Sequence, residues 1–255
     1  MSCISRIKYF MYVFWSGLST RVSFLIAALG MIVGRVWESE TQYEVYWFSF
    51  RWENLLIGPI TAMILLLSTC IKFFQDENKI VHYRNRRTIF WYSIFLCGFV
   101  GAFISIWVNL LIFAISKASH ITQFANTDIE LQYGIKNSMD VLGIVVRTNI
   151  MMWLLCFILG LLYMLVQFLW DKMIYSILIV FLVVGAEEAG KFYFGKQLFM
   201  KYVFPADSYL YFTWDGFREG VTYLVLFIFV LICLLYLVIE KKDFYKKQKG
   251  IYTIS

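Results

Sequence analysis

The chain has 255 residues, of which 61% are hydrophobic and only 16% are charged. Soluble globular domains are about 45–50% apolar and about 25% charged, so this composition excludes a soluble fold and predicts an all-α integral membrane protein. The net charge of +6 does not indicate a nucleic-acid partner, because the basic residues lie where membrane orientation and contact with anionic lipid headgroups would place them.

Residues 4–20 form the first predicted element. Apolar side chains recur there at helical spacing, with serines and tyrosines elsewhere on the helical wheel. This pattern predicts an amphipathic helix lying in the inner membrane interface.

Six apolar runs follow, and each is predicted to cross the membrane within one domain that covers residues 1–255. The predicted spans are 22–37, 54–74, 88–116, 144–170, 173–195 and 220–239. The segment between the first two is acidic and rich in aromatic residues, which is typical of an interface belt. Pro59 costs little if the second span begins near Leu55 or Leu56, and it kinks the helix otherwise.

Two connections between the spans are informative. Only Asp171 and Lys172 separate the fourth span from the fifth, and so short a turn forces an antiparallel helical hairpin. Residues 197–217 mix aromatic and charged residues around Pro205, and they predict a pair of short re-entrant helices before the last span.

The loop between the second and third spans holds the strongest positive cluster between any two spans. By the positive-inside bias it faces the cytoplasm, as do both termini, and most acidic residues then fall outside. The loop is either a docking element for a cytoplasmic partner or a segment whose arginines only set topology. The candidate coupling residues are Asp76, Glu77, Arg84, Arg86 and Arg87.

The densest polar cluster inside a span comprises Glu187, Glu188 and Lys191. It matches GxxxxGK from Gly185, but Phe192 follows where a phosphate-binding loop needs Ser or Thr, so no nucleotide site is expected. The cluster is either a self-neutralised group of charges or the polar lining of an outward-opening cavity. Asp207 and Asp215, in the predicted re-entrant segment, belong to the same candidate polar surface.

The sequence offers no enzyme chemistry that we can assemble. Its five cysteines form no CxxC pair, so neither a disulfide framework nor a thiolate metal site is predicted. His82 and His120 fall in loops on opposite faces of the predicted topology, which excludes a shared metal site and a Ser/His/Asp arrangement. We expect neither a catalytic residue nor a cofactor on this chain.

The layout resembles the ABC-type export permeases of the type-two class. Those permeases have an interfacial helix, six spans with cytoplasmic termini, a coupling loop after the second span, a close hairpin and a re-entrant helical pair. The counterparts here are Ile4–Thr20, Gln75–Arg87, Asp171–Lys172 and Gln197–Phe217. The Glu187-Glu188 pair is also similar to the EExxxR motif of CAAX-type intramembrane proteases, but no span carries the histidines that those enzymes require.

The permease resemblance implies a bacterial plasma-membrane subunit that pairs with a second permease protomer. ATP and magnesium would bind to a separate cytoplasmic subunit. The implied cargo is hydrophobic or amphipathic, such as an antimicrobial peptide, bacteriocin, antibiotic or lipid. The alternative is a non-transporting immunity, sensor or scaffold protein of the same membrane.

Overall fold

The computed structural model describes residues 22, 40–49, 52–75, 86–118, 120–121, 123, 138–195, 197–198 and 214–241. In these ranges the chain is helical and contains no strand, which confirms the all-α prediction. The helices are α1 (Gln42–Ser49), α2 (Trp52–Leu55), α3 (Thr61–Gln75), α4 (Arg86–Ala118), α5 (Ser138–Trp170), α6 (Met173–Phe194) and α7 (Trp214–Lys241).

Four of these helices, α4 to α7, are long and apolar enough to cross a membrane, which indicates a membrane-embedded, multi-pass protein. The apolar helical stretch Leu56–Ile71 is shorter than they are. The predicted interfacial helix lies outside the described residues, as do the predicted first span except for residue 22 and most of the predicted re-entrant pair. The count of six spans therefore stays a prediction.

The long helices extend beyond the apolar runs from which they were predicted. α4 begins at Arg86 and α7 begins at Trp214, whereas the predicted spans begin at residues 88 and 220. The prediction that residues 214–217 belong to the re-entrant segment is corrected here, because these residues form the first turn of α7. A carboxylate there is favourable because Asp215 faces the positive end of the helix dipole.

Pro59 lies in a π-helical turn, Leu56–Ile60, that joins α2 to α3. Helical structure already begins at Trp52, so the proline is not at a helix start. The wider turn accommodates a residue that has no N–H to donate. The Thr61 hydroxyl donates to the Leu56 carbonyl at 2.6 Å and satisfies an acceptor in the widened turn.

α1 is a short helix in the segment that the sequence marked only as an aromatic belt. Thr41 and Glu44 form a capping box: Thr41 Oγ1 accepts the Glu44 N–H at 3.3 Å, and Glu44 Oε2 accepts the Thr41 N–H at 3.2 Å. The Gln42 N–H donates to the Gln123 carbonyl at 3.0 Å, which fixes α1 beside the segment that follows α4.

α5 is the central helix, and α4, α6 and α7 each pack against it. In its most apolar window 67% of the residues are buried inside the protein, compared with 22% for α6. Its fully buried side chains include Met152, Leu155, Cys156, Leu159, Leu161 and Tyr163. A helix that is apolar on all sides must contact other helices or lipid on all sides. For α5, most of these contacts are with other helices of the bundle.

Glycines let α4 and α5 approach closely. A Cβ atom built on Gly101 would lie 3.3 Å from the Trp153 carbonyl oxygen and 3.3 Å from the Phe157 nitrogen. A Cβ atom on Gly160 of α5 would lie 3.2 Å from Cys97 Cβ. Without a hydrophobic driving force between helices in lipid, such close backbone contact is a main source of helix association.

Hydrogen bonds reinforce the same contact. Trp153 Nε1 donates to the Gly98 carbonyl at 2.9 Å, and Ser105 Oγ donates to the Asn149 carbonyl at 2.7 Å. The pairings run in opposite directions along the two helices, so α4 and α5 are antiparallel.

The other faces of α5 also carry polar contacts. The hydroxyls of Ser68 on α3 and Tyr163 on α5 lie 2.9 Å apart, and both residues are buried. Ser176 Oγ of α6 donates to Gln167 Oε1 at 3.1 Å. Each buried polar group of these pairs is therefore satisfied by a neighbouring helix.

Candidate functional site

The four long helices alternate in direction and define two ends of the bundle. The hairpin end holds the start of α4 at Arg86, the turn at Asp171–Lys172 and the end of α7 at Lys241. The opposite end, called the distal end here, holds Ala118, Ser138, Phe194 and Trp214. The candidate site residues in the described ranges divide between these ends.

Arg86 and Arg87 are the first two residues of α4, so they belong to a helix and not to the loop in which the sequence placed them. Arginine is not favoured at a helix N-terminus, where the dipole is positive. Arg86 compensates by donating from Nη1 to the Glu240 carbonyl in the last turn of α7, where unpaired carbonyls attract cations.

An aromatic contact supports this junction of α4 with α7. The rings of Phe90 and Tyr236 meet edge to face, with centroids 5.3 Å apart, one helical turn inside the Arg86 contact. Arg86 thus links two transmembrane helices at the hairpin end. Asp76, Glu77 and Arg84, the other candidate coupling residues, lie outside the described residues.

The α5–α6 turn confirms the predicted antiparallel hairpin. Asp171 adopts φ 54°, a left-handed conformation that short polar side chains tolerate, and its N–H donates to the Gln167 carbonyl at 3.0 Å. The Lys172 ammonium lies 5.4 Å from the centroid of the Tyr175 ring. Side chains at this turn, like Arg86, Arg87 and Lys241, are exposed.

Glu187 is buried, and its carboxylate is bonded to the backbone of a later segment. Oε2 accepts the Leu198 N–H at 2.8 Å. α6 ends at Phe194, and Gly195, which follows it, adopts φ 62° and lets the chain turn back toward Glu187. Glu188 and Lys191 are half-buried on the same helix, and Asp207 lies outside the described residues.

Asp215 stands apart from this group, since it is exposed in the first turn of α7. Glu187, in contrast, accepts a hydrogen bond from the Leu198 backbone. Neither interpretation of the polar cluster from the sequence included this bond.

Sequence reasoning did not select Arg147 of α5 as a site residue. Its side chain is only 7% exposed, and its guanidinium lies 5.0 Å from the centroid of the Trp214 ring at the start of α7. Arg147 Nε is buried and has no hydrogen-bond partner in the part of the chain that the structure describes. The sequence did contain a signal for this residue, namely an arginine inside an apolar run. A charged side chain within the membrane is energetically costly and therefore marks a functional position.

Comparisons of this chain with family models, with curated proteins and with solved structures find no match.

Proposed function

We propose that this chain is the membrane subunit of an ATP-driven exporter in the bacterial plasma membrane. The subunit has six spans, an amino-terminal interfacial helix, a re-entrant segment before the last span and cytoplasmic termini. A second permease protomer and a cytoplasmic ATP-binding subunit complete the transporter. The supporting observation is the exposed basic surface at the hairpin end, formed by Arg86, Arg87, Lys172 and Lys241.

The contacts at this end suggest how a docked ATPase would move the membrane helices. The segment between α3 and α4 takes the force of ATP-driven closure, and acidic groups of the ATPase meet Arg84, Arg86 and Arg87. Because Arg86 also bonds to the end of α7, displacing the start of α4 displaces two transmembrane helices together. The cargo is a hydrophobic or amphipathic peptide, bacteriocin, antibiotic or lipid taken from the inner leaflet.

The test is whether an ATP-binding protein, sought first among the products of neighbouring reading frames, co-purifies with this chain. We expect the triple substitution of Arg84, Arg86 and Arg87 by Glu to abolish co-purification by charge repulsion. R87E alone leaves the Arg86–Glu240 bond in place and weakens co-purification without loosening α7. K117E, at the distal end, is the matched control and retains the complex. Stoichiometric ATPase on the folded triple variant would exclude this docking surface.

One observation favours a second candidate, the non-transporting immunity, sensor or scaffold protein. The Arg86 guanidinium is already bonded within the chain, so its charge also has a purely structural use. This candidate predicts that no ATPase co-purifies with the wild-type chain and that cells expressing it show no energy-dependent efflux. The same purification therefore separates the two functions.

A further inference from the structure

One face of α4 changes from charged to apolar as the helix leaves the hairpin end. Arg87, Trp91 and Phe95 are spaced four residues apart, so they share that face. Arg87 is exposed, and Trp91 and Phe95 are 65% and 55% exposed. Within about 12 Å of helix the face thus passes from a cation to an amphipathic ring and then to an apolar ring. A phospholipid presents its headgroup, its interfacial region and its acyl chains in the same order.

α7 repeats this order beside α4. It runs in the opposite direction, so its last residue, Lys241, lies at the hairpin end. Leu237 and Leu234, one and two turns further into the helix, are 50% and 43% exposed. Both helices therefore offer a cation at the end of the bundle and apolar side chains further in.

Aromatic rings join the two helices at the level between the charges and the apolar side chains. The ring centroid of Phe90, which is buried, lies 5.3 Å from that of Trp91 and 5.3 Å from that of Tyr236. Tyr236 is 40% exposed, so both outer rings of the cluster are accessible. Tryptophan and tyrosine favour the depth of lipid headgroups, which places a headgroup beside the basic residues of the two helices.

The charge at this junction favours an anionic ligand. Arg86, Arg87 and Lys241 stand against one described acidic residue of the junction, Glu240, and all four are exposed. Basic residues near a membrane surface attract anionic lipid. Arginine also matches phosphate oxygens with its planar fork of N–H donors.

A lipid fits this surface better than other classes of partner. A cytoplasmic protein reaches Arg87 but not Phe95, which lies more than two turns inside the start of a helix long enough to cross the membrane. A second copy of the chain in the same orientation would bring the same basic residues together, and like charges repel. Inorganic phosphate makes no use of the aromatic and apolar side chains.

From these observations we propose that the junction of α4 with α7 binds an anionic phospholipid. Arg87 and Lys241 hold the headgroup phosphate, Trp91 and Tyr236 pack beside the glycerol backbone, and Phe95 supports an acyl chain. The site does not depend on the proposed transport function, because it requires neither an ATPase nor a second protomer.

The experiment is native mass spectrometry of the purified full chain with phosphatidylglycerol, and with phosphatidylcholine of the same acyl chains as the control without net charge. We expect the wild-type chain to retain phosphatidylglycerol over phosphatidylcholine. R87Q should reduce that preference about fivefold, since one basic residue at the membrane surface is lost. R218Q removes an exposed arginine at the distal end and should leave the preference unchanged.

F95A tests the site with every basic residue in place, which keeps the proposal testable if R87Q does not fold. It should lower phosphatidylglycerol retention, whereas F113A, which removes a 64% exposed ring near the other end of α4, should not. Phosphatidylglycerol retention at the wild-type level in both R87Q and F95A would overturn the proposal. So would Arg87-dependent binding of inorganic phosphate, or an Arg87-dependent dimer, in a chain that shows no preference for phosphatidylglycerol.

Discussion

At the scale of single residues, several buried polar groups in this protein bond to other segments of the chain. Glu187 shows this most clearly. Its spacing from Lys191 suggested either a neutralised cluster or a cavity lining, but the carboxylate also accepts the backbone N–H of Leu198. A buried carboxylate that accepts from backbone stabilises the reversal after α6 and explains why a charge is tolerated there.

We predict that E187A destabilises the chain by about 1 kcal/mol, because the part-buried hydrogen bond from the Leu198 N–H to the carboxylate is lost. E187Q keeps an acceptor oxygen and should cost less. The measurement is unfolding in a denaturing-detergent titration, together with hydrogen exchange at the Leu198 amide. Unchanged protection of that amide in E187A would show that the contact does not hold the reversal.

At the scale of helices, the contact between α4 and α5 organises the bundle. Cys97, Gly101 and Ser105 are spaced four residues apart, so they share one face of α4, and the structure turns that face to α5. Close backbone approach at Gly101 and Gly160 positions the donors of Trp153 and Ser105. Packing and hydrogen bonding thus depend on the same small residues.

We predict that G101A destabilises the chain by about 1–3 kcal/mol. The added methyl group meets backbone atoms of α5 that cannot rotate away, so the helices must separate. G185A is the matched control on α6: its Cβ enters open space, and replacing glycine within a helix should stabilise by about 0.5–1 kcal/mol. Equal stability of the two variants in the same detergent titration would contradict the close approach.

The sequence predicted the centres of the four long helices well and their ends poorly. Apolar runs locate the part of a helix that lies in hydrocarbon, but α4 and α7 continue into charged turns at Arg86 and Trp214 that hydropathy does not detect. The sequence analysis did not predict α1, although the spacing of Thr41 and Glu44 is that of a capping box. The π turn at Pro59 and the burial of Arg147 depend on tertiary packing, which one sequence does not reveal.

At the scale of the whole molecule, α7 is held at both ends by arginines of other helices. Arg86 of α4 bonds to the Glu240 carbonyl at the hairpin end, and Arg147 of α5 lies over Trp214 at the distal end. These contacts fix the direction of α7 relative to α4 and α5. They also place the α5–α6 turn and the end of α7 at the same end of the bundle.

We predict that single cysteines replacing Lys172 and Lys241, in a chain whose native cysteines are changed to alanine, react with a membrane-impermeant thiol reagent only from the cytoplasmic side. A cysteine at Leu198 should react only from the opposite side. The reason is the positive-inside bias applied to the exposed basic residues of the hairpin end. Labelling of K172C from outside the cell would reverse the orientation and remove the proposed ATPase surface.

The two arginine contacts also have a consequence for biosynthesis. α7 leaves the ribosome after every other described helix, and it supplies the Glu240 carbonyl that bonds to Arg86 and the Trp214 ring that contacts Arg147. A chain arrested before Trp214 would lack both of these arginine contacts. Such a nascent fragment therefore differs chemically from the finished bundle at both ends of the membrane helices.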